Sequence, residues 1–245
     1  MYLDFSRLFQ HSSKDLLGGG TVRIPADEKE WPEEWTTVHY KEYPRFPTIP
    51  LEDAPPAADF FDLVRRRTSR RDFSRTPADK RALSTLLKYS CGITQEFGDR
   101  NPRRAHPSGG ARFPLEVYPV VFSGSNGLPQ GLYHYNVRKH GLDVLWQRSF
   151  SEEDIGQLFT YEWVRDASFA LVITAVFGRT QVKYGERGYR YILLEAGHIG
   201  QNLYLASGAL GLKCCALGGT FDNELEKLID IDGNTESVVY ALALG

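Results

Sequence analysis

From residue 59 onward the apolar positions recur with two different periods, and each change of period marks a boundary between elements. Helical spacing comes first. Asp59, a capping residue type, precedes Phe60, Phe61 and Val64, and the pattern predicts a helix over DFFDLVRRR. After Pro77 the run ADKRALSTLLKYSCGI predicts a second helix, with Ala82, Leu83, Leu86, Leu87 and Cys91 on its inner face. The longest helical pattern lies within Gln181–Gly211. There Leu193, Ala196, Gly200, Leu203, Ser207 and Leu210 follow one another at intervals of 3, 4, 3, 4 and 3, so they share a face. Half of that face is small, so another backbone can approach it closely. SEEDIGQLF (151–159), with Ser151 ahead of acidic residues, and FDNELEKLI (221–229) predict two short helices.

Strand patterns lie between them. LEVYPVVF (115–122) predicts a strand whose Pro119 points to an edge or a bulge. GLYHYNVRKHGLDVLW (131–146) reads as a hairpin turning around Asn136–Gly141. FALVITAVF (169–177) is a continuous apolar run and predicts a buried central strand; SVVYALAL (237–244) predicts a last one. Gly98 to Gly110, containing PRRAHPSGG, reads as a polar loop. Helices and strands mixed in this way predict an α+β fold, a sheet flanked by helices.

Residues 1–58 break the pattern. After GGG at 18–20 come Pro25, Pro32, Pro44, Pro47, Pro50, Pro55 and Pro56, too dense for helices or central strands. Trp31, Trp35, Tyr40, Tyr43 and Phe46 are interleaved, and a disordered tail would be poorer in aromatics. The expectation is an extended N-terminal arm (1–58), lying on the same or a partner subunit, ahead of one domain (59–245).

Composition narrows the function classes. A net charge of −2 leaves no whole-molecule basic field to attract nucleic acid or a membrane. No apolar run approaches the roughly 18 residues of a membrane span, and the N-terminus carries no signal-like stretch, so a cytoplasmic location is expected. The cysteines, Cys91, Cys214 and Cys215, are too few for a disulfide framework and read as buried reduced thiols. Neither they nor the scattered histidines have metal-ligand spacing, so no metal site is expected.

Four clusters are candidates for chemistry, and each also has a plain structural reading. RRRTSRRDF (65–73) sets arginine forks beside hydroxyls, as a phosphate cradle does, or is a solvated basic helix end. PSGGARFP (107–114) lets a backbone approach a flat ligand, or is a plain turn. Gly218 and Gly219, just before a helix start, suit an anion or a ring oxygen, but are weak alone. Lys183 beside Tyr184 is a base if its surroundings are cationic or apolar, and otherwise a surface lysine beside a half-buried tyrosine.

The order and spacing of these clusters say more than any one of them. The chain resembles the nitroreductase-like flavoproteins, and within them the SagB-type (McbC-like) dehydrogenases. RRRTSRRDF, LLKYSCGIT, RRAHPSGGARFPLEVY, GLPQGLYHYNVRKHGLDVL and VKYGERGYRYILLEAGHIGQNLYLASGALGL carry the resemblance, over roughly residues 59–245. A fainter echo lies at FQHSSKD (9–15), and the GLYHY hairpin sets the chain apart from ordinary nitroreductases. The resemblance implies a nitroreductase-like fold, with a central mixed or antiparallel sheet, and FMN held non-covalently at the interface of a homodimer. It implies that Arg67, Thr68, Ser69 and Arg71 hold the phosphate and ribityl end. Pro107, Ser108, Gly109, Gly110 and Ala111 would line the ring, and Gly218 and Gly219 would lie near the ring or phosphate. Lys183–Tyr184 matches the KY pair of members that oxidise thiazoline or oxazoline rings to thiazole or oxazole. The expected activity is therefore dehydrogenation, with Lys183 or Tyr184 as base. The substrate would be a peptide, carrier-protein-bound or small heterocyclic intermediate. An NAD(P)H-dependent nitro or quinone reductase and a non-catalytic binding subunit of a biosynthetic complex are the competing readings.

Overall fold

The computed structural model describes residues 9, 25, 27–53, 57–97 and 100–245. The glycine break at 18–20 and all of FQHSSKD beyond Phe9 lie outside them. In chain order the helices are α1 (Glu33–Thr36), α2 (Phe60–Arg66), α3 (Lys80–Cys91), α4 (Glu152–Gly156), α5 (Gly178–Tyr184), α6 (Arg187–Ala209) and α7 (Asp222–Ile229). The strands are β1 (Thr48–Pro50), β2 (Ile93–Phe97), β3 (Arg100–Arg104), β4 (Leu115–Val121), β5 (Gly131–Asn136), β6 (Gly141–Gln147), β7 (Phe169–Val176), β8 (Cys214–Leu217) and β9 (Glu236–Leu244).

Local chemistry starts the helices where the sequence places them. The Asp59 carboxylate accepts from the Asp62 N–H at the start of α2, and Asp79 does the same for Arg81 at α3. Ser151 and Asp154 cap each other's backbone at α4, a reciprocal capping box. The main sheet runs β1-β6-β5-β4-β7-β9-β8, with every neighbouring pair antiparallel. β4 is its middle strand, and β7, beside it, is bonded to β4 on one side and β9 on the other and is buried from Phe169 to Ala175.

The two faces of the sheet are covered differently. Leu115, Val117, Leu171 and Ile173 pack with Leu83, Leu86 and Leu87 of α3 and with Ile192, Ala196, Ile199 and Leu203 of α6. The alternate residues Tyr118, Val120, Ala170 and Val172 pack with Ile155 of α4 and Leu225 and Ile229 of α7. This second face turns polar at one end, where Glu116, Thr174, His134, Asp143 and Glu236 are all buried. There the cover is the N-terminal arm. Lys41 pairs with Glu236, Tyr43 meets Tyr118 hydroxyl to hydroxyl at 3.1 Å, and Thr48 donates to Asp143 at 2.6 Å. His134 sits between Glu116 (3.0 Å) and Asp143 (3.4 Å), and Glu116 also receives Arg179 at 2.6 Å. A buried ionic patch of this kind is stable only with its partners in place, and the arm supplies several of them.

Four expectations change. Pro119 lies inside the sheet rather than at its edge. β4 pairs with β7 along its whole length but with β5 only at Val120 and Val121, so the missing N–H of Pro119 leaves no ladder bond broken. The polar loop at 98–110 is partly a ribbon, β2 with β3, whose polar residues hide the alternation. Leu193 is 41% exposed, and Glu195 and Ile199 fill the buried face of α6 with Ala196 and Leu203. The small face of α6 turns into its own chain's core: a Cβ on Gly200 would run into the Tyr240 ring of β9. The arm, finally, is not wholly irregular, since it contains α1 and adds β1 as the edge strand beside β6.

Candidate active site

Two groups of the expected residues form two separate clefts. The first is built on the loop that leads into β4. Ser108 accepts a hydrogen bond from the Phe113 N–H at 2.9 Å, which curls the backbone between them into a tight turn. Gly110, Ala111 and Phe113 all have positive φ, +63°, +53° and +46°. A left-handed conformation costs a non-glycine residue about 1 kcal/mol or more, and such strain is held where the surroundings over-determine it. Here Arg112 does so. Its side chain is 1% exposed, and it donates from Nε to the Arg179 carbonyl (2.7 Å) and from Nη1 to the Thr37 carbonyl (2.8 Å). At the entry to the loop, buried His106 Nε2 meets Glu195 of α6 at 3.1 Å.

Opposite the loop, α5 leaves the end of β7 and places Lys183 and Tyr184 in its last turn; Gly185, at φ +52°, then redirects the chain into α6. A Cβ built on Gly110 would lie 3.3 Å from Lys183 Nζ and would collide with the Tyr184 hydroxyl. The loop and the lysine–tyrosine pair are therefore in direct apposition. Lys183 is 1% exposed, and its Nζ lies 3.3 Å from the centre of the Trp31 ring, with Trp35 and Tyr184 at 5.8 and 5.6 Å. The Tyr184 ring meets Tyr191 edge to face at 5.1 Å. Burial raises the pKa of its phenol and Tyr191 adds to the rise, with Arg112 opposing both. A cleft of about 290 Å3 opens beside the loop between Pro107, Ser108 and Gly109 and the Tyr191, Leu194 and His198 side chains of α6.

The second cleft, about 330 Å3, lies at the arginine run, with Arg67, Thr68, Tyr204, Ser207 and Gly208 among its walls. The five arginines divide by partner. Arg65 and Arg66 pair with Asp62, and Arg70 with Asp72. Arg67 lies over the Tyr204 ring (5.4 Å) and Arg71 over the Trp163 ring (5.8 Å), and neither has a carboxylate partner among the described residues. Ser69 shares a hydrogen bond with the Tyr204 hydroxyl at 2.9 Å, and the Arg70 N–H binds the Cys214 carbonyl at 2.9 Å, tying the run to β8. Gly218 and Gly219 follow β8 and pack on Tyr161 and Thr160. Tyr161 stacks on Trp163, the ring beneath Arg71, so the glycine pair and the arginine run meet the same aromatic cluster. Guanidinium groups without carboxylate partners among the described residues, next to hydroxyls, suit a phosphate.

Both clefts lean on α6. Tyr191 of one and Tyr204 of the other stand about 20 Å apart along its axis at 1.5 Å per residue. Sequence reasoning gave no role to Arg112, although it stands within PSGGARFP, and it missed the placing of Trp31 and Trp35 on Lys183, which only the path of the arm decides. Among the described residues no three His, Cys, Asp or Glu side chains gather to hold a metal ion, and no helix is long and apolar enough to cross a membrane. The thiols of Cys91 and Cys214 are pushed up to about 12 by burial.

A strained glycine loop facing a lysine–tyrosine pair, on an antiparallel sheet with a long core helix, defines a class. The chain belongs to the nitroreductase family, matching it over residues 64–245. The SagB-type resemblance read from the sequence holds as well. Trifolitoxin-processing protein TfxB of Rhizobium leguminosarum bv. trifolii is 34% identical over 170 residues, covering 66% of this chain and 46% of that one. Microcin B17-processing protein McbC of Escherichia coli is 32% identical over 170 residues, covering 64% and 59%. The chain thus spans about half the length of these two relatives. MJ1384 of Methanocaldococcus jannaschii, which bears the nitroreductase name, is 32% identical over 170 residues, 69% of this chain and 83% of that one. Among solved structures, a nitroreductase-type protein of Anabaena variabilis superposes with a TM-score of 0.71 at 25% identity, over 99% of this chain and 46% of that one. A chain of the Escherichia coli microcin synthetase McbBCD complex superposes at 0.60 and 20% identity, over 98% and 91%. One from Exiguobacterium sibiricum, solved in complex with FMN, superposes at 0.53 and 14% identity, over 78% and 89%. The last two likenesses are of fold.

Proposed function

We propose that this chain is an FMN-dependent dehydrogenase that aromatises an azoline ring, a thiazoline or oxazoline, in a peptide, carrier-bound or small natural-product intermediate. The observation that carries the reading is the apposition of Lys183 and Tyr184 to Gly110 of the ring-binding loop. The relationship to TfxB and McbC, both named for processing a peptide product, supports the substrate class. FMN complexes in the family's fold support the cofactor. Arg67 and Arg71, with the hydroxyls of Thr68 and Ser69, would hold the phosphate and ribityl end. Pro107 to Ala111 would line the flavin ring, and Gly218 and Gly219 its approach. The spacing of the two clefts along α6 supports a homodimer in which the loop of one copy faces the arginine run of the other.

When bound, FMN supplies the two-electron acceptor for a hydride equivalent, and molecular oxygen restores it. The chain's own residues handle the proton. Lys183 Nζ would take the Cα proton as the ring becomes aromatic. Tyr184 keeps its phenolic proton, because burial and Tyr191 raise its pKa, and acts by orienting. A neighbouring processing enzyme acting in trans would deliver the azoline. Kinship with MJ1384 also keeps a nitro- or quinone-reducing role in view; NADPH consumption with a nitroaromatic acceptor separates the two. The main test is Lys183→Ala. The variant should keep its flavin absorption and bleach anaerobically with a thiazoline peptide about 100-fold or more slowly than wild type. Bleaching at the wild-type rate would remove Lys183 as the base.

A further inference from the structure

Lys183 is enclosed on every side. Its Nζ lies under the face of Trp31 at 3.3 Å, a Cβ on Gly110 would stand 3.3 Å away on the loop side, and the residue is 1% exposed. No solute reaches Nζ in this arrangement, so an enclosing element must move before the lysine can touch a substrate. α5 and the loop are fixed: Arg112 and Arg179 are buried and bonded to each other and to the loop backbone. The arm divides in two. From Thr37 onward it is anchored by Arg112 on the Thr37 carbonyl, Lys41 on Glu236, Thr48 on Asp143 and the β1 ladder. Ahead of Thr37, α1 has no buried residue and packs against α5 and the Gly109–Ala111 turn, and half-buried Trp31, just before α1, and Trp35, within it, rest on the lysine.

We propose that residues 27–36 form a hinged lid over the catalytic lysine, and that the Trp31 indole holds the place a planar substrate ring takes when the lid opens. The inference rests on the proposed role of Lys183. A flat, uncharged ring face at this distance satisfies an ammonium group by cation–π attraction, so the closed lid keeps the lysine paired while the site is idle. An azoline is a flat ring of the kind that can exchange places with the indole. The lid thereby selects for ring-shaped ligands, and it keeps Lys183 from reacting with other electrophiles.

The test is the modification rate of Lys183 by an acylating reagent, mapped by peptide mass spectrometry, with exposed Lys139 and Lys227 as internal references. In wild type Lys183 should react far more slowly than the references. In Trp31→Ala it should react about tenfold faster, as expected when a closed state that hides a group loses its main contact, with Lys139 and Lys227 unchanged. Trp31→Phe, which keeps a smaller aromatic face and guards against a folding defect, should fall between. Equal Lys183 rates in wild type and both variants, or a wild-type rate matching Lys227, would overturn the lid. The readout does not depend on turnover. Exposure of Lys183 in Trp31→Ala together with full activity in Lys183→Ala would leave the lid standing and sink the base assignment.

Discussion

A single methyl group tests whether the loop and the lysine–tyrosine pair work as one site. Gly110→Ala adds a Cβ that would collide with the Tyr184 hydroxyl and stand 3.3 Å from Lys183 Nζ, at a residue with φ +63°. Two effects combine, and two other glycines separate them. Gly127 has φ +87° and open space around it, so Gly127→Ala carries the backbone effect alone. That is about 1 kcal/mol, or roughly 3 °C of melting temperature in a chain of this size. Gly109 lies in the same loop without a positive φ, and its Cβ would rest 3.4 Å from the Tyr191 ring, so Gly109→Ala should be mild. Gly110→Ala should match Gly127→Ala in stability to within about 1 kcal/mol, because a phenol end can give way. Its activity should differ. Displacing Tyr184 and Lys183 by about 1 Å should slow azoline oxidation on the order of 100-fold. Melting curves, flavin titration and anaerobic flavin bleaching of the three variants decide the matter. Wild-type oxidation in Gly110→Ala would refute the idea that the loop sets the position of the pair.

Two further predictions follow from charges. Arg67→Ala and Arg71→Ala should each weaken FMN binding about tenfold or more, since a charge-assisted hydrogen bond is lost, whereas Arg65→Ala, already paired with Asp62, should change it little; equal losses in a fluorescence titration would contradict the division. Glu116 governs acid stability. Burial pushes its carboxyl up, but the His134 hydrogen bond and the Arg179 charge outweigh burial and hold it down to about 2 from 4.5. A depressed carboxylate contributes stability that is complete above pH 4.5 and is lost as pH falls through about 2, here roughly 3 kcal/mol. Glu116→Gln should lower the melting temperature at pH 7 and flatten its decline between pH 4.5 and 2; parallel curves for the two proteins would exclude Glu116 as the source.

Much of this molecule is determined locally. The caps at Asp59 and Ser151, the period-2 hairpin at 131–146, and the apolar run at 169–177 each act through neighbours a few residues away, so composition and spacing were enough to place them. The division of the arginine run was half legible. RRRTSRRDF offers arginine forks beside hydroxyls, but that Arg67 and Arg71 are the two without carboxylate partners among the described residues depends on which way each side chain leaves the backbone. Pro119 misled because a proline excludes a ladder bond only on the side its nitrogen faces, and the sequence does not say which neighbour is short there. The α6 face was misplaced at Leu193 because periodicity gives a face without saying what covers it. The centre of the site was least legible of all. Lys183, Gly110, Arg112 and Trp31 lie far apart in the chain and meet only because β4 and β7 are paired, α5 caps the end of β7, and the arm crosses them both. The lysine and the glycine loop are written in the sequence as motifs; tertiary structure alone brings them together and closes an indole over the lysine, because long-range contacts are set by the packing of the sheet and not by any local pattern.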